Sequence, residues 1–171
     1  MRDFLRDVSD PDNVRAEDLV YAWLRRSYGD AVQDARPEHG SYDFALRLTY
    51  DVKCSKWLRR EGRVHYEYEH VYPRGGSKPG WSTKPELEYA IYVNPQTWEA
   101  HMIRMRLWRA HVEERLYHAQ DNRNGVPLGW IHSESKNREY VTHSWSMPLD
   151  ELRDVEGIVV RSWFLVEAGA A

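Results

Sequence analysis

Cysteine is almost absent from this sequence, since Cys54 is the only one in 171 residues. An intrachain disulfide is therefore excluded, and a zinc site built on cysteines is excluded in practice. The eight histidines show no zinc-type spacing with suitable partners, so we interpret them as structural or surface residues.

Long apolar runs are missing as well, and none approaches the length that crosses a membrane. Met1-Arg2-Asp3 is not the opening of a signal peptide. We therefore expect an intracellular, cytoplasmic protein that has no membrane partner.

An excess of positive charge is the third thing the sequence lacks, because its formal net charge is −3 at pH 7. The molecule as a whole is thus not a basic nucleic-acid binder, and such contacts would depend on local patches. What the sequence does have is aromatic side chains, with eight Trp and eleven Tyr. Those in excess of the core's needs could stack on bases or contact a protein partner.

The length fits one domain, 1–171, with apolar residues at 42% to form its core. Asp10-Pro11 predicts the start of a first helix, which ends near Gly29. Alternating patterns predict strands, and a longer apolar stripe predicts a second helix over 97–118. The strands are expected at 42–46, 50–54, 64–71, 90–93, 140–147 and 157–166, with short helices near 83–86 and 148–152. This order predicts an α/β or α+β domain with a central mixed sheet flanked by helices.

The triplet Asp51-Val52-Lys53 carries the main chemical signal. In a strand, positions i and i+2 project from the same face, so Asp51 and Lys53 lie side by side. Hydrolysis of a phosphodiester needs an activated water and compensation of phosphate charge. A carboxylate-bound divalent cation with a neighbouring lysine supplies both.

Asp43 strengthens this signal on one geometric condition. If the chain reverses near Arg47-Leu48-Thr49, Asp43 and Asp51 come close enough to share a metal ion. If 42–54 is instead one strand, they lie roughly 26 Å apart at about 3.3 Å per residue. No Gly, Asn or Pro marks the turn.

The run Tyr42-Asp43 … Tyr50-Asp51-Val52-Lys53 resembles the core of the PD-(D/E)XK nuclease superfamily, with Tyr42 in place of its proline. The stretches Glu67-Tyr68-Glu69, Gly80–Lys84 and Tyr89–Val93 resemble small phage-type and resolvase-like members. The resemblance covers about residues 10–95 and leaves the C-terminal helix and strands, 96–171, without a role. It implies a restriction-endonuclease-like core and Mg²⁺-dependent cleavage of DNA, with Mn²⁺ as a substitute.

The resemblance also implies roles for individual residues. Asp43, Asp51 and the Val52 carbonyl would be metal ligands, and Lys53 the catalytic lysine. Glu17 on the first helix would be a further catalytic acid. Glu67 and Lys84 are additional candidates that depend on strand register.

Basic residues follow the triplet and recur in the Gly/Pro-rich loop. They are candidates for holding DNA phosphates, although solvated loops would look the same. These residues are Lys56, Arg59, Arg60, Arg63, Arg74 and Lys78.

The sequence thus predicts a Mg²⁺-dependent deoxyribonuclease, with structure-specific endonuclease activity and phage origin left open. A homodimer that pairs two sites is also left open. One alternative is a catalytically inactive module of the same fold that binds DNA or a protein. Another is an unrelated α+β fold in which the triplet arose by chance.

Overall fold

A computed structural model shows a mixed α+β architecture, which confirms the predicted fold class. Two β-sheets, both mostly antiparallel, pack with helices around them. The structure describes residues 10–34, 36, 43–45, 49–120, 125–136, 139–155, 158 and 160–165. Tyr42, most of the predicted turn near Arg47-Leu48-Thr49 and part of the predicted strand at 157–166 lie outside these residues.

The described residues form four α-helices, ten strands and two short 3₁₀ turns. The helices are α1 (Pro11–Tyr28), α2 (Lys56–Glu61), α3 (Met105–His118) and α4 (Leu149–Asp154). The first strands are β1 (Gln33–Asp34), β2 (Phe44–Ala45), β3 (Thr49–Cys54), β4 (Arg63–Val71) and β5 (Ser77–Pro79). The others are β6 (Tyr89–Val93), β7 (Glu99–Arg104), β8 (Ile131–Lys136), β9 (Val141–Pro148) and β10 (Arg161–Phe164). The 3₁₀ turns are Gly29–Ala31 and Trp81–Thr83.

Helix α1 has the ends that local chemistry predicts. The Asp10 side chain accepts a hydrogen bond from the Asp12 amide, and Pro11 occupies the first turn. Gly29 ends the helix with a positive φ of 61°. One stripe of the helix is fully buried, at Ala16, Val20 and Leu24.

The larger sheet has the strand order β1-β2-β3-β6-β7-β10 and is mixed. β3 pairs parallel with β6, and the other neighbouring pairs are antiparallel. Because the parallel pair lies in the middle, β6 is covered on both faces. This explains its unbroken apolar run, Ala90 to Val93.

The smaller sheet has the order β5-β4-β9-β8 and is antiparallel throughout. A bulge in β4 between Glu67 and Glu69 shifts its register against β9. This irregularity lies close to the residues that the sequence marks as functional.

The two core clusters lie on opposite faces of the larger sheet. On one face, Val20 and Leu24 of α1 pack with Val52 and with Ile91. On the other face, Tyr92 of β6 packs with residues of β4, β9 and α3, including Trp108. The larger sheet therefore lies between α1 and a layer made of the smaller sheet and α3.

Two sequence predictions about helices are wrong in part. The helix expected over 97–118 is helical only from Met105, because residues 99–104 form β7 and pair with β6 and β10. The short helix expected from Thr83 is absent among the described residues, where a 3₁₀ turn ends at Thr83 instead. Within the described part of the chain, no helix combines the length and apolar character needed to span a membrane.

Candidate functional site

Asp43 and the triplet strand are joined by direct backbone pairing. Phe44 lies opposite Tyr50 in an antiparallel register, so the chain reverses between Ala45 and Thr49. The Asp43 amide donates to the Tyr50 carbonyl at 2.9 Å. The Asp43 carboxylate in turn accepts a hydrogen bond from the Val52 amide at 2.6 Å. The geometric condition for bringing Asp43 to Asp51 is met.

Asp51 and Lys53 share one face of β3, as strand periodicity predicts. Tyr50 and Val52 point instead into the core beneath α1. The Lys53 Nζ atom lies 2.8 Å from Asp51 Oδ2. Asp51 is only 7% exposed, and this Oδ2 atom has no hydrogen bond of ordinary geometry among the described residues. Lys53 and Asp51 therefore form an ion pair, but the buried Oδ2 atom of Asp51 still lacks a well-directed hydrogen-bond donor.

Trp81 forms a wall beside the lysine. The Lys53 Nζ atom lies 4.9 Å from the centre of the Trp81 ring, within cation–π distance. The backbone next to Trp81 is tied to β4, because the Ser82 hydroxyl accepts a hydrogen bond from the Glu67 amide at 3.0 Å. A Cβ on Gly80 would lie 2.3 Å from the Glu67 carbonyl oxygen. The run Gly80-Trp81-Ser82 therefore packs against β4 at a point where only glycine fits.

Glu67 faces the same lysine from the smaller sheet. Burial raises the pKa of its carboxyl, and the positive charge of Lys53 and the indole N–H of Trp81 offset this in part. The negative charge of Asp51 raises the pKa further. Glu67 thus belongs to the same electrostatic cluster as the triplet, although it comes from a different sheet.

Glu17 approaches the cluster from α1. Burial raises the pKa of its carboxyl, while Arg36 and Lys53 act to lower it. The Glu17 Oε2 atom lies 3.7 Å from Arg36 Nη1, and the same guanidinium also binds Asp18 and Asp34. Arg36 therefore anchors Glu17 at the edge of the site.

The acidic residues of this cluster outnumber its single lysine, Lys53. Burial and the neighbouring charges shift the pKa values of several of these groups. Burial, and then the negative charge of Asp51, raise the pKa of Asp43 from 3.8 to about 7. Burial acts to lower the pKa of Lys53, but the nearby carboxylates outweigh it and raise that pKa above its ordinary value. Lys53 is therefore charged at neutral pH, whereas Asp43 is about half protonated there.

The basic residues after the triplet have different environments. Lys56 binds Asp10 at the start of α1, at 2.9 Å. Arg63 donates to the Ser146 hydroxyl and to the carbonyls of Ser146 and Gly129. It therefore links β4 to β9 and to the segment before β8. Arg59 and Arg60 lie exposed in the last turn of α2, immediately after β3.

The other predicted basic residues lie farther along β4 and β5. Arg74 is exposed in the turn after β4. Lys78, on the edge strand β5, lies over the Tyr72 ring at 5.6 Å. Lys84 is half-buried, and its backbone carbonyl accepts a hydrogen bond from Arg109.

Sequence reasoning missed the role of Trp81 and of Tyr92. The Tyr92 hydroxyl donates to the His65 carbonyl, which ties the larger sheet to β4 beneath the site. Burial raises the pKa of Tyr92 well above its ordinary value, so the phenol stays protonated. Trp81 could have been noticed because Gly80-Trp81-Ser82 directly follows the Gly/Pro-rich loop. Tyr92 gave no such indication, because it lies within an apolar strand like any other.

Compared with models of protein families, with curated proteins and with solved structures, the chain matches none. The geometry of the site itself must therefore support any function assigned to it.

Proposed function

We propose that this protein is a metal-dependent nuclease that hydrolyses DNA phosphodiester bonds inside the cell. The observation that carries the proposal is the meeting of Asp43, Asp51 and Lys53. The β2–β3 pairing brings the two aspartates together, and strand alternation places the lysine beside Asp51. Such a grouping of carboxylates and a charged lysine suits a reaction in which negative charge develops on a phosphate.

The residues fit a hard divalent cation such as Mg²⁺. The Asp51 Oδ2 atom is a buried acceptor without a well-directed donor, and the pKa of Asp43 is raised first by burial and then by the negative charge of Asp51. Oxygen ligands are the ones that Mg²⁺ prefers, and it usually needs only one or two carboxylates. Asp43, Asp51 and the Val52 carbonyl would hold the ion. When bound, it would polarise the phosphate and lower the pKa of a water molecule.

The chain's own residues supply orientation and charge. The Val52 amide holds the Asp43 carboxylate in place, and Trp81 limits the movement of the Lys53 side chain. The Lys53 side chain is 35% exposed, so part of its length is open to solvent. Lys53 would donate hydrogen bonds to the attacking water or to a phosphate oxygen. Glu17 and Glu67 would contribute to the electrostatic potential at the Lys53 ammonium group.

The proposal rests on the resemblance to the PD-(D/E)XK superfamily as well as on the site. A strand pair that carries the aspartates and a preceding helix with an acid both suit that core. The exposed Arg59 and Arg60 lie directly after the lysine strand and are the best placed residues for DNA phosphates.

A non-catalytic binding module is the second candidate, and one observation favours it. Lys53 already forms an ion pair with Asp51 at 2.8 Å, which compensates part of the charge that a metal would otherwise neutralise. Such a module would bind DNA or a protein without taking up Mg²⁺.

The test is cleavage of plasmid, linear and branched DNA, and of RNA, with Mg²⁺ or Mn²⁺. Lys53→Ala and Asp51→Asn should each strongly lower the rate of cleavage, since they remove the charged groups at the reacting phosphate. Matched controls are Lys136→Ala, an exposed strand lysine, and Asp30→Asn, whose side chain is 96% exposed. Wild-type protein that cleaves none of these substrates and shows no Mg²⁺ binding would favour the binding module.

A further inference from the structure

Three side chains of the kinds that ligate metals lie close together on β8 and β9 of the smaller sheet. His132 and Glu134 alternate on β8, so they project from the same face. Glu134 lies directly opposite His143 in the antiparallel register, which places His143 on that face too. Sequence spacing conceals this grouping, because the strand pairing alone brings His143 to the other two.

The distances between the ligand atoms fit one small ion. The His143 Nδ1 atom lies 3.4 Å from His132 Nε2 and 3.7 Å from Glu134 Oε1. The candidate ligand atoms of the three residues all lie within 4.8 Å of one another. Around a tetrahedral zinc ion with bonds of about 2.0–2.1 Å, ligand atoms are about 3.3–3.4 Å apart. Small rotations of these side chains would therefore bring all three onto one ion.

Aromatic neighbours hold the two imidazoles in place. The rings of His132 and His143 are nearly parallel, at 13°, with centroids 5.4 Å apart. The His132 ring also lies 5.0 Å from the Trp145 ring, and Tyr68 stacks on Trp145 at 19°. The Tyr68 hydroxyl contacts His132 Nε2 at 2.9 Å, which adds a polar group beside the three ligands.

The geometry points to a Zn²⁺ site formed by His132, Glu134 and His143, with a fourth position beside the Tyr68 hydroxyl. Imidazole nitrogen favours zinc and similar transition metals, whereas Mg²⁺ prefers oxygen ligands. Two histidines and one glutamate leave a coordination position open for water or another ligand. The site shares no residue with the cluster of Asp43, Asp51 and Lys53, and it does not depend on the nuclease proposal.

The site is tested by calorimetric titration of Zn²⁺ in the presence of excess Mg²⁺, which occupies carboxylate-only sites. Wild-type protein should bind one Zn²⁺ per chain, and Co²⁺ in its place should give the visible absorption of a tetrahedral complex. His143→Ala should weaken binding by more than the roughly 10–100-fold that loss of a supporting partner costs. His118→Ala, an exposed histidine on α3, is the matched control and should bind as the wild type does. Asp51→Asn should also leave Zn²⁺ binding unchanged.

Two results would overturn the site. One is wild-type protein that takes up no Zn²⁺ at micromolar concentrations. The other is equal affinity in wild type and His143→Ala, which would mean that zinc binds elsewhere on the surface. If His143→Ala fails to fold, Zn²⁺ binding by Glu134→Gln tests the site instead. Glu134 is exposed, and glutamine has the same shape as glutamate without its charge.

Discussion

Two clusters of buried or half-buried charge in this protein are built in opposite ways. At Glu151 on α4, each carboxylate oxygen has a directed donor. Trp130 Nε1 donates to Oε2 at 2.8 Å, while His111 and Arg115 contact Oε1 at 3.0 and 3.1 Å. At Asp51, by contrast, the buried Oδ2 atom has only the Lys53 ion pair, without a hydrogen bond of ordinary geometry.

The difference separates a structural carboxylate from a candidate functional one. A fully partnered group such as Glu151 links α3, α4 and the segment before β8, and stabilises their packing. A cluster in which several carboxylates face one lysine is held in place by the fold despite its unfavourable charge. Such perturbed clusters are more common at active sites than elsewhere. The predictions below test that contrast, from the largest effect to the smallest.

Removal of the lysine should have the largest effect, and it should act on activity. Lys53→Ala is expected to lower cleavage of DNA with Mg²⁺ by about 10²–10⁴-fold, the range for loss of a group that acts directly on the reaction. Single-turnover rates measure this, and Lys136→Ala should match the wild type. A variant that keeps more than half of the wild-type rate would exclude a catalytic role for Lys53.

Removal of the structural carboxylate should instead act on stability. Glu151→Ala leaves the donors of His111, Arg115 and Trp130 without their acceptor, and should reduce the free energy of unfolding by about 2–3 kcal/mol. Urea denaturation measures this change. Asp150→Asn, at the neighbouring exposed position, should change stability by less than about 0.5 kcal/mol. If Glu151→Ala is as stable as the wild type, the contrast between the two clusters is lost.

Asp43→Asn should stabilise the metal-free protein at high pH. The folded-state pKa of Asp43 is raised from 3.8 to about 7, so the folded protein binds the proton more tightly than the unfolded chain does. The free energy of unfolding of the wild type should therefore fall as pH rises from about 4 to 7. Above pH 7 Asp43 is ionised in the folded protein as well, and its contribution changes no further. At about pH 8, in EDTA, the variant should be more stable by roughly 1–2 kcal/mol.

The control for Asp43→Asn is the same comparison near pH 4, where the two proteins should differ little. A variant that is less stable than the wild type at pH 8 would show that the Asp43 charge is compensated in the folded protein. Glu17 and Glu67 have raised pKa values too, so they should retain part of the same pH dependence in both proteins.

Glu17→Gln should have the smallest effect on stability. Burial raises the pKa of Glu17, so its neutral amide should stabilise the protein slightly at neutral pH. Arg36 keeps Asp18 and Asp34 as partners. Thermal unfolding at neutral and acidic pH measures the gain, which should disappear on acidification. A loss of stability at neutral pH would mean that the Arg36 contact outweighs the burial of Glu17.

Much of the fold could be predicted because it follows from local chemistry. The start and end of α1 match the prediction, since Asp10, Pro11 and Gly29 act on the backbone next to them. The strand β4 and the short helix α4 also lie where they were expected, within one or two residues. Residues 99–104 are one exception, because Met102 and Met105 fit a helical stripe as well as a strand. Pairing with β6 and β10 decided that these residues form a strand.

The sequence by itself determined that Asp51 and Lys53 lie side by side, because alternation in a strand depends on nothing beyond the strand. Only the tertiary structure decided that Asp43 joins them, since the reversal before β3 has no Gly, Asn or Pro to announce it. The same holds for Glu67, which reaches Lys53 from a different sheet, and for His143, which meets His132 through strand register. The physical reason is distance along the chain. Neighbouring residues restrict one another directly, whereas these pairings depend on how the two sheets and α1 pack as a whole.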